Sequence, residues 1–415
     1  MIDVDHTILS SGLPVVRLAM PGTRAATVLA AFDAGARTEH ADENGMAHFL
    51  EHLVFKGGEK YPSYRDVNDT AERLGAQLNA YTSHDIVAFH ITCRAEAAMD
   101  AVDLLTDFVA RPRLDADELE RERGVVIQEI ARYWDQPSSV ADMLLDRAVY
   151  GDHPLGRTVL GPPEHLRSFS RDAILAFRER RWAPARGGAF IAGDLSHVDD
   201  NRLAELFERF PPRAEPPAPD PAPAFAPRVE VERRDTNQSH LRLHWPAPIE
   251  PDDIRQRAAL TVYSTLLRGS MGSRLFDEIR EQRGLCYAIR SYSWVHADTA
   301  SLDVSSGLDS SKCLEAYKRI KEIVWELARD GMRAGELERA RAYAAGSAVL
   351  ALENTGAVAR RAAGQKITFD DLSSPDEAIA ALDAVTADDV RAIAERIDGE
   401  PAVACVGPHD GDDFS

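Results

Sequence analysis

Gly45-Met46-Ala47-His48-Phe49-Leu50-Glu51-His52-Leu53-Val54-Phe55 is the stretch on which the reading of this chain turns. Coiled as a helix, it sets His48 and His52 four residues apart on one face, with Glu51 at the edge of that face. Side chains so spaced have Cβ atoms about 5–6 Å apart, so both imidazoles can reach one cation. A carboxylate between them can touch a water on that cation. Phe49, Leu50 and Leu53 point elsewhere and are candidates for a core. The order His-x-x-Glu-His is a zinc signature in its own right, the inverse of the commoner His-Glu-x-x-His. A polar helix edge that happens to be rich in His and Glu would read the same way. Support has to come from a third ligand, a substrate-holding strand and a second domain.

Length and composition set the frame. A chain of 415 residues exceeds one ordinary core and implies two or more domains. With 44% hydrophobic and 28% charged residues it has a globular composition. No apolar run approaches the roughly 20 residues that span a bilayer. Met1-Ile2-Asp3-Val4-Asp5-His6 carries acids where a signal peptide carries Lys or Arg, so the expectation is a cytoplasmic protein. A net charge of −20 argues against nucleic acid and anionic membrane as partners. Cys93, Cys286, Cys313 and Cys405 lie far apart and form no metal-type pair, which predicts buried free thiols.

Two strands are predicted over 14–35, joined at Pro21-Gly22, and a polar loop through Glu43-Asn44-Gly45 leads into the His helix. Ser63 opens a helix from Tyr64 to Leu74, ended by Gly75. Residues 76–93 read as a β-hairpin turning near Ser83-His84-Asp85, and a long helix at about 95–110 follows. The next helix, about 117–134, places Glu122 and Glu129 two turns apart on nearly one face. Glu118 and Glu120 read as solvated, whereas Glu129 is flanked by Val125, Val126, Ile127 and Ile130. A half-buried carboxylate needs a cation or hydrogen-bond partners. Gly188–Asp194 reads as a buried strand. Eight prolines between Pro211 and Pro227 mark an extended linker.

The second half repeats the first. A strand over Ser239–Trp245, a helix at about 253–268, a helix Arg274–Gly284 and a strand over Leu285–Trp294 follow the earlier order. Glu118-Leu119-Glu120-Arg121 recurs as Glu336-Leu337-Glu338-Arg339, which sets Ala340 opposite Glu122 and Ser347 opposite Glu129. No His-x-x-Glu-His occurs there, so one copy of a duplicated module carries the metal-type residues. His84, His90, His153, His240 and His244 read as structural, the last two because no carboxylate is evident beside them.

These residues resemble the M16 zinc peptidases, the family of pitrilysin and the mitochondrial processing peptidase, and in particular its short bacterial chains. The motif His48-Phe49-Leu50-Glu51-His52 carries the resemblance, with Gly75–Thr82, His153–Arg157 and Ser273–Phe276 through Tyr287 beside it. Arg181-Trp182-Ala183-Pro184 departs from the aromatic pair usual before that proline. The resemblance implies an α+β chain of two homologous domains, each an antiparallel β-sheet with helices packed on it, the LuxS/MPP-like metallohydrolase fold. On this reading residues 1–212 form the zinc-binding domain, 213–227 the linker and 228–415 the repeat without metal.

It further implies one Zn2+ per chain held by His48, His52 and Glu129, with Glu122 supporting a His ligand and standing as the rival third ligand. Three protein ligands leave a fourth position for water, the arrangement of catalytic zinc, and Glu51 would act as general base. Asn79, Ala80 and Thr82 would line an edge strand to which an unfolded or extended peptide adds. Arg280 and Tyr287 match a substrate-holding pair that acts in trans across a homodimer. The alternatives for that pair are an ion pair of Arg280 with Asp277 or Glu281 and a packed strand aromatic at Tyr287. The rival functions are a non-catalytic scaffold of this fold and the zinc-bearing half of a heterodimeric peptidase.

Overall fold

The computed structural model describes residues 2–267, 270–397 and 399–414. Six strands, β1 (Asp3–Ile8), β2 (Pro14–Ala19), β3 (Ala25–Phe32), β4 (Gln77–Thr82), β5 (Val87–Arg94) and β6 (Gly187–Gly193), form one sheet in the order β1-β2-β6-β3-β5-β4. Five more, β7 (Val229–Arg233), β8 (Gln238–Pro246), β9 (Cys286–Val295), β10 (Ala300–Asp309) and β11 (Ala402–Gly407), form a second sheet, β7-β11-β8-β10-β9. Without β1 the two orders are the same, strand for strand, so the duplication seen in the sequence is a duplication of topology. The sheets are antiparallel apart from one parallel pair each, β2 with β6 and β7 with β11. In both, the last strand returns after a helical excursion and inserts between two earlier ones, which is how β6 comes to separate β2 from β3 despite the turn at Pro21-Gly22.

Contacts divide the chain into two compact units, the first holding residues up to Ile130, Thr158–Asp220 and Leu350–Asp376. The second holds Ala131–Arg157, Pro221–Val349 and the residues from Glu377 onward. The boundary at Asp220 and Pro221 falls inside the proline run.

Side-chain alternation along β3 shows how the first unit is filled. Val28, Ala30 and Phe32 join one core with α1 (Met46–Val54) and α3 (Ala98–Ala110), the helix α2 (Tyr64–Arg73) lying between these in sequence. Leu29 and Ala31 face the other way, onto Val358, Ala359, Ala362 and Ala363 of the helix Thr355–Phe369. A strand covered on both faces reads as a near-continuous apolar run, as β6 does and as β3 does apart from Thr27. The second unit repeats this. Leu241, Leu243 and Cys405 enter one core, while Ala402, Ala404 and Val406 face Val140, Ala141, Leu145 and Ala148. Those residues belong to α5 (Pro137–Tyr150), which follows α4 (Ala116–Trp134) in the first half of the sequence. Each half of the sequence thus contributes a helix to the unit built mainly from the other.

The hairpin β4–β5 pairs in register from Gln77 with Thr92 to Thr82 with Val87, and β4 is the terminal strand of its sheet. Ser63 caps α2, its Oγ accepting from the Asp66 N–H, and Gly75 follows the helix with φ +62°. The helix expected over Arg274–Gly284 is π-helical from Phe276 to Gln282. Among the described residues no helix is long and apolar enough to cross a membrane.

Candidate metal centre

Helix α1 is set in place from its N-terminus. Gly45 turns the chain at φ +99°, and a Cβ there would meet the Leu160 carbonyl oxygen at 2.7 Å. The buried carboxylate of Glu39 accepts from the Gly45 and Ala47 N–H groups at 3.0 and 2.7 Å and from the Asn44 amide at 3.1 Å. It meets donors that the first turn of a helix leaves unpaired. Burial pushes its pKa up to about 8, against the pull of those donors. Met46, Phe49, Leu50 and Leu53 are buried in the core, which turns the opposite side of the helix toward α4.

His48 and His52 lie with ring centroids 4.7 Å apart. The Glu129 carboxylate on α4 comes within 3.8 Å of His48 Nε2 and 3.3 Å of His52 Nε2. One ligand atom from each of the three lies within 4.8 Å of the others. A tetrahedral ion with bonds of about 2.0–2.1 Å places its ligand atoms roughly 3.3 Å from one another, so these residues fit a zinc-sized ion. Burial, with His52 beside it, pulls the His48 pKa down to about 3 and keeps that imidazole in the neutral form that ligates.

Behind His52 stands Glu122. Its Oε1 lies 2.9 Å from His52 Nδ1 and its Oε2 lies 2.5 Å from Lys56 Nζ. Burial opposes charge on both His52 and Glu122. Burial is the largest single influence on each, and only together do their mutual hydrogen bond, Glu51 and Glu129 on the His52 side and Lys56 on the Glu122 side outweigh it, raising the His52 pKa and lowering that of Glu122. Glu51 accepts a 2.6 Å hydrogen bond from the Thr82 hydroxyl. Burial raises its pKa, as does the charge of Glu129, while Thr82 and His52 pull it down.

Of the residues singled out for substrate, Thr82 therefore meets Glu51, while Asn79 is exposed on β4 and Ala80 is half-buried beside it. Arg280 stacks over the rings of Phe276 and Tyr287, 4.6 and 5.4 Å from their centroids, and lies 3.5 Å from Glu281. Tyr287 is 84% exposed, so it is no packed strand aromatic. Ala340, the counterpart of Glu122, lines a cavity of about 390 Å³ with Thr265, Met271, Glu336 and Tyr343.

Sequence reasoning missed Lys56 and Glu39. The Lys four residues beyond His52 is a signal for the first, whereas Glu39 reaches the helix from a separate turn and leaves no pattern. His244 was expected to lack a carboxylate, yet Asp303, directly opposite in the β8–β10 register, meets its Nδ1 at 2.7 Å. The partner comes from a neighbouring strand, which spacing along one strand does not show. Three of the cysteines are buried and Cys286 is half-buried.

The sequence model described as "Insulinase (Peptidase family M16)" matches residues 15–163, and that described as "Peptidase M16 inactive domain" matches 168–343. The second description falls largely on the repeat that lacks the His pair. An uncharacterized zinc protease of Streptomyces coelicolor is 32% identical over 414 residues, covering 98% of this chain and 90% of the relative. One of Bacillus subtilis is 30% identical over 399 residues, covering 96% and 97%. The crystal structure of a peptidase M16 inactive domain from Pseudomonas fluorescens superimposes with a TM-score of 0.89 at 19% identity, covering 99% of both chains. Full-length similarity at this identity, on a fold whose first unit gathers His48, His52 and Glu129, leads to one conclusion: the chain belongs to peptidase family M16.

Proposed function

We propose that this chain is a zinc-dependent endopeptidase that holds one zinc ion through His48, His52 and Glu129 and cleaves unfolded or extended peptides. The observation that carries the reading is the convergence of those three ligand atoms beside a carboxylate, Glu51, that is held by a hydrogen bond and raised in pKa by burial. When bound there, zinc supplies a water acidified toward neutral pH and an electrophilic contact for the carbonyl under attack.

Glu51 takes the water's proton and passes it to the departing amine, and a carboxylate raised toward working pH is the better base for it. Thr82 keeps Glu51 in one orientation. Glu122 accepting from His52 Nδ1–H would leave the Nε2 lone pair, which faces Glu129, free to hold a bound zinc. Lys56 balances the Glu122 charge. A peptide adds to the edge of β4, its main chain paired along Asn79 and Ala80 and its side chains loosely sampled. Arg280 and Tyr287 of a second copy grip the same peptide, with Tyr287 donating to the oxyanion, which makes the working unit a homodimer.

Digestion of a peptide library by the purified chain, with and without a chelator, tests the reading. Cleavage that stops with chelator and returns with zinc supports it. Glu51→Gln should keep zinc and lose cleavage by about 10²–10⁴-fold, and His52→Ala should lose both. Wild-type cleavage by Glu51→Gln would refute the mechanism.

A further inference from the structure

Cys313, Cys405 and His409 are scattered in sequence and meet in the second unit. Cys313 opens the helix Cys313–Asp330, Cys405 lies on β11, and His409 follows two residues after that strand ends. Both thiols are fully buried and His409 is 7% exposed. One ligand atom from each lies within 4.8 Å of the others. We propose that these three side chains form a second metal site, separate from the His48, His52 and Glu129 centre, for a thiophilic divalent ion such as zinc.

The hydrogen bonds around His409 fix the form of its ring. Ser310 Oγ donates its only proton to the Thr236 carbonyl at 2.9 Å, and Ser239 Oγ donates its own to Ser310 Oγ at 3.0 Å. Ser239 can then only accept from His409 Nε2, 2.8 Å away. The proton therefore sits on Nε2, and Nδ1 carries the lone pair. A ligating imidazole is oriented, and its tautomer chosen, by a partner on its other nitrogen, which here leaves Nδ1 as the atom available to a metal. The chain of hydroxyls is itself closely packed, for a Cβ on Gly407 would come within 2.4 Å of Ser239 Oγ.

Charge and ligand type agree with this assignment. Two thiolates and a neutral imidazole around a divalent ion sum to zero, which removes the cost of burying an isolated charge. Thiolate with imidazole is a donor set that suits zinc. Binding releases the two thiol protons to solvent, with no change of oxidation state. The three side chains that would hold the ion are all buried. It would tie the start of one helix to the last strand and to the turn that follows it.

The test uses the full chain purified under reducing conditions, loaded with zinc or cobalt(II) and freed of excess metal. Two zinc ions per wild-type chain are expected, along with a thiolate-to-cobalt charge-transfer band in the near ultraviolet. The band should survive in His52→Ala, which loses only the first ion, and vanish in the Cys313→Ala/Cys405→Ala double variant, which keeps one. A wild-type chain with no thiolate band and at most one zinc would overturn the proposal, and that measurement needs no variant to fold. A Cys313–Cys405 disulfide found by mass spectrometry in place of the metal would overturn it as well. A single zinc per wild-type chain, carrying the thiolate band and unchanged in His52→Ala, would leave this site standing and remove the peptidase centre instead.

Discussion

Glu122 is the residue at which the structure makes its sharpest demand. It is 6% exposed and holds His52 Nδ1 at 2.9 Å and Lys56 Nζ at 2.5 Å, so it couples a candidate ligand to a half-buried cation. Glu122→Gln keeps the volume and leaves a carbonyl oxygen to accept from His52. It removes the charge, and a charge-assisted hydrogen bond is about twice as strong as a neutral one. Lys56 then faces an amide. Hydrogen bonds to charged groups are worth about 1.5–3 kcal/mol, and loss of a carboxylate behind a ligating histidine typically costs about 10–100-fold in metal affinity or activity. We therefore expect zinc affinity, measured by competition with a calibrated chelator, to fall by about 10–100-fold. Peptide cleavage at limiting zinc should fall with it and recover when zinc is added in excess. Unfolding measured alongside separates this from loss of the fold. A folded Glu122→Gln protein with zinc affinity within about twofold of wild type would refute the idea that the His52–Glu122 bond orients the ligand.

Two further predictions concern residues outside the ligand set. Tyr287→Phe removes only an exposed hydroxyl, so zinc content and the unfolding midpoint should not move, while kcat falls by about 10²-fold if that hydroxyl meets the oxyanion; an unchanged kcat would remove Tyr287 from the mechanism. Glu39, with its pKa raised to about 8 by burial, binds more protons folded than unfolded between about 4.5 and 8. Its contribution to stability is present below that window and declines as pH rises through it. Glu39→Gln should flatten this part of the unfolding free energy against pH, and an identical slope in the two proteins would count against the assignment.

Much of this was legible in the sequence because it is local. The His pair, the capped helix ended by Gly75 and the hairpin around Ser83–Asp85 are written within a few residues each. The carboxylate seven residues beyond Glu122 could be placed on the right face because helical spacing is fixed. What escaped depends on partners distant in the chain. Nothing along 137–150 says that its apolar face meets β11, nor along 355–369 that it meets β3 and β6, since an amphipathic helix encodes that it must be covered and not by what. The parallel pairs, the reach of Glu39 to α1 and the meeting of Cys313 with Cys405 are long-range for the same reason. Thr82 shows a different limit. Its place on β4 follows from strand alternation, but its bond to Glu51 needs α1 to pack beside that strand.

The central claim is that His48, His52 and Glu129 hold one ion between them. Crystals of the zinc-loaded chain, with anomalous differences collected on either side of the zinc edge, test it directly. The account predicts a peak bonded to both Nε2 atoms and to the Glu129 carboxylate, with Glu122 still on His52 Nδ1. A peak bonded to Glu122 in place of Glu129, or no peak between the two histidines, would contradict it.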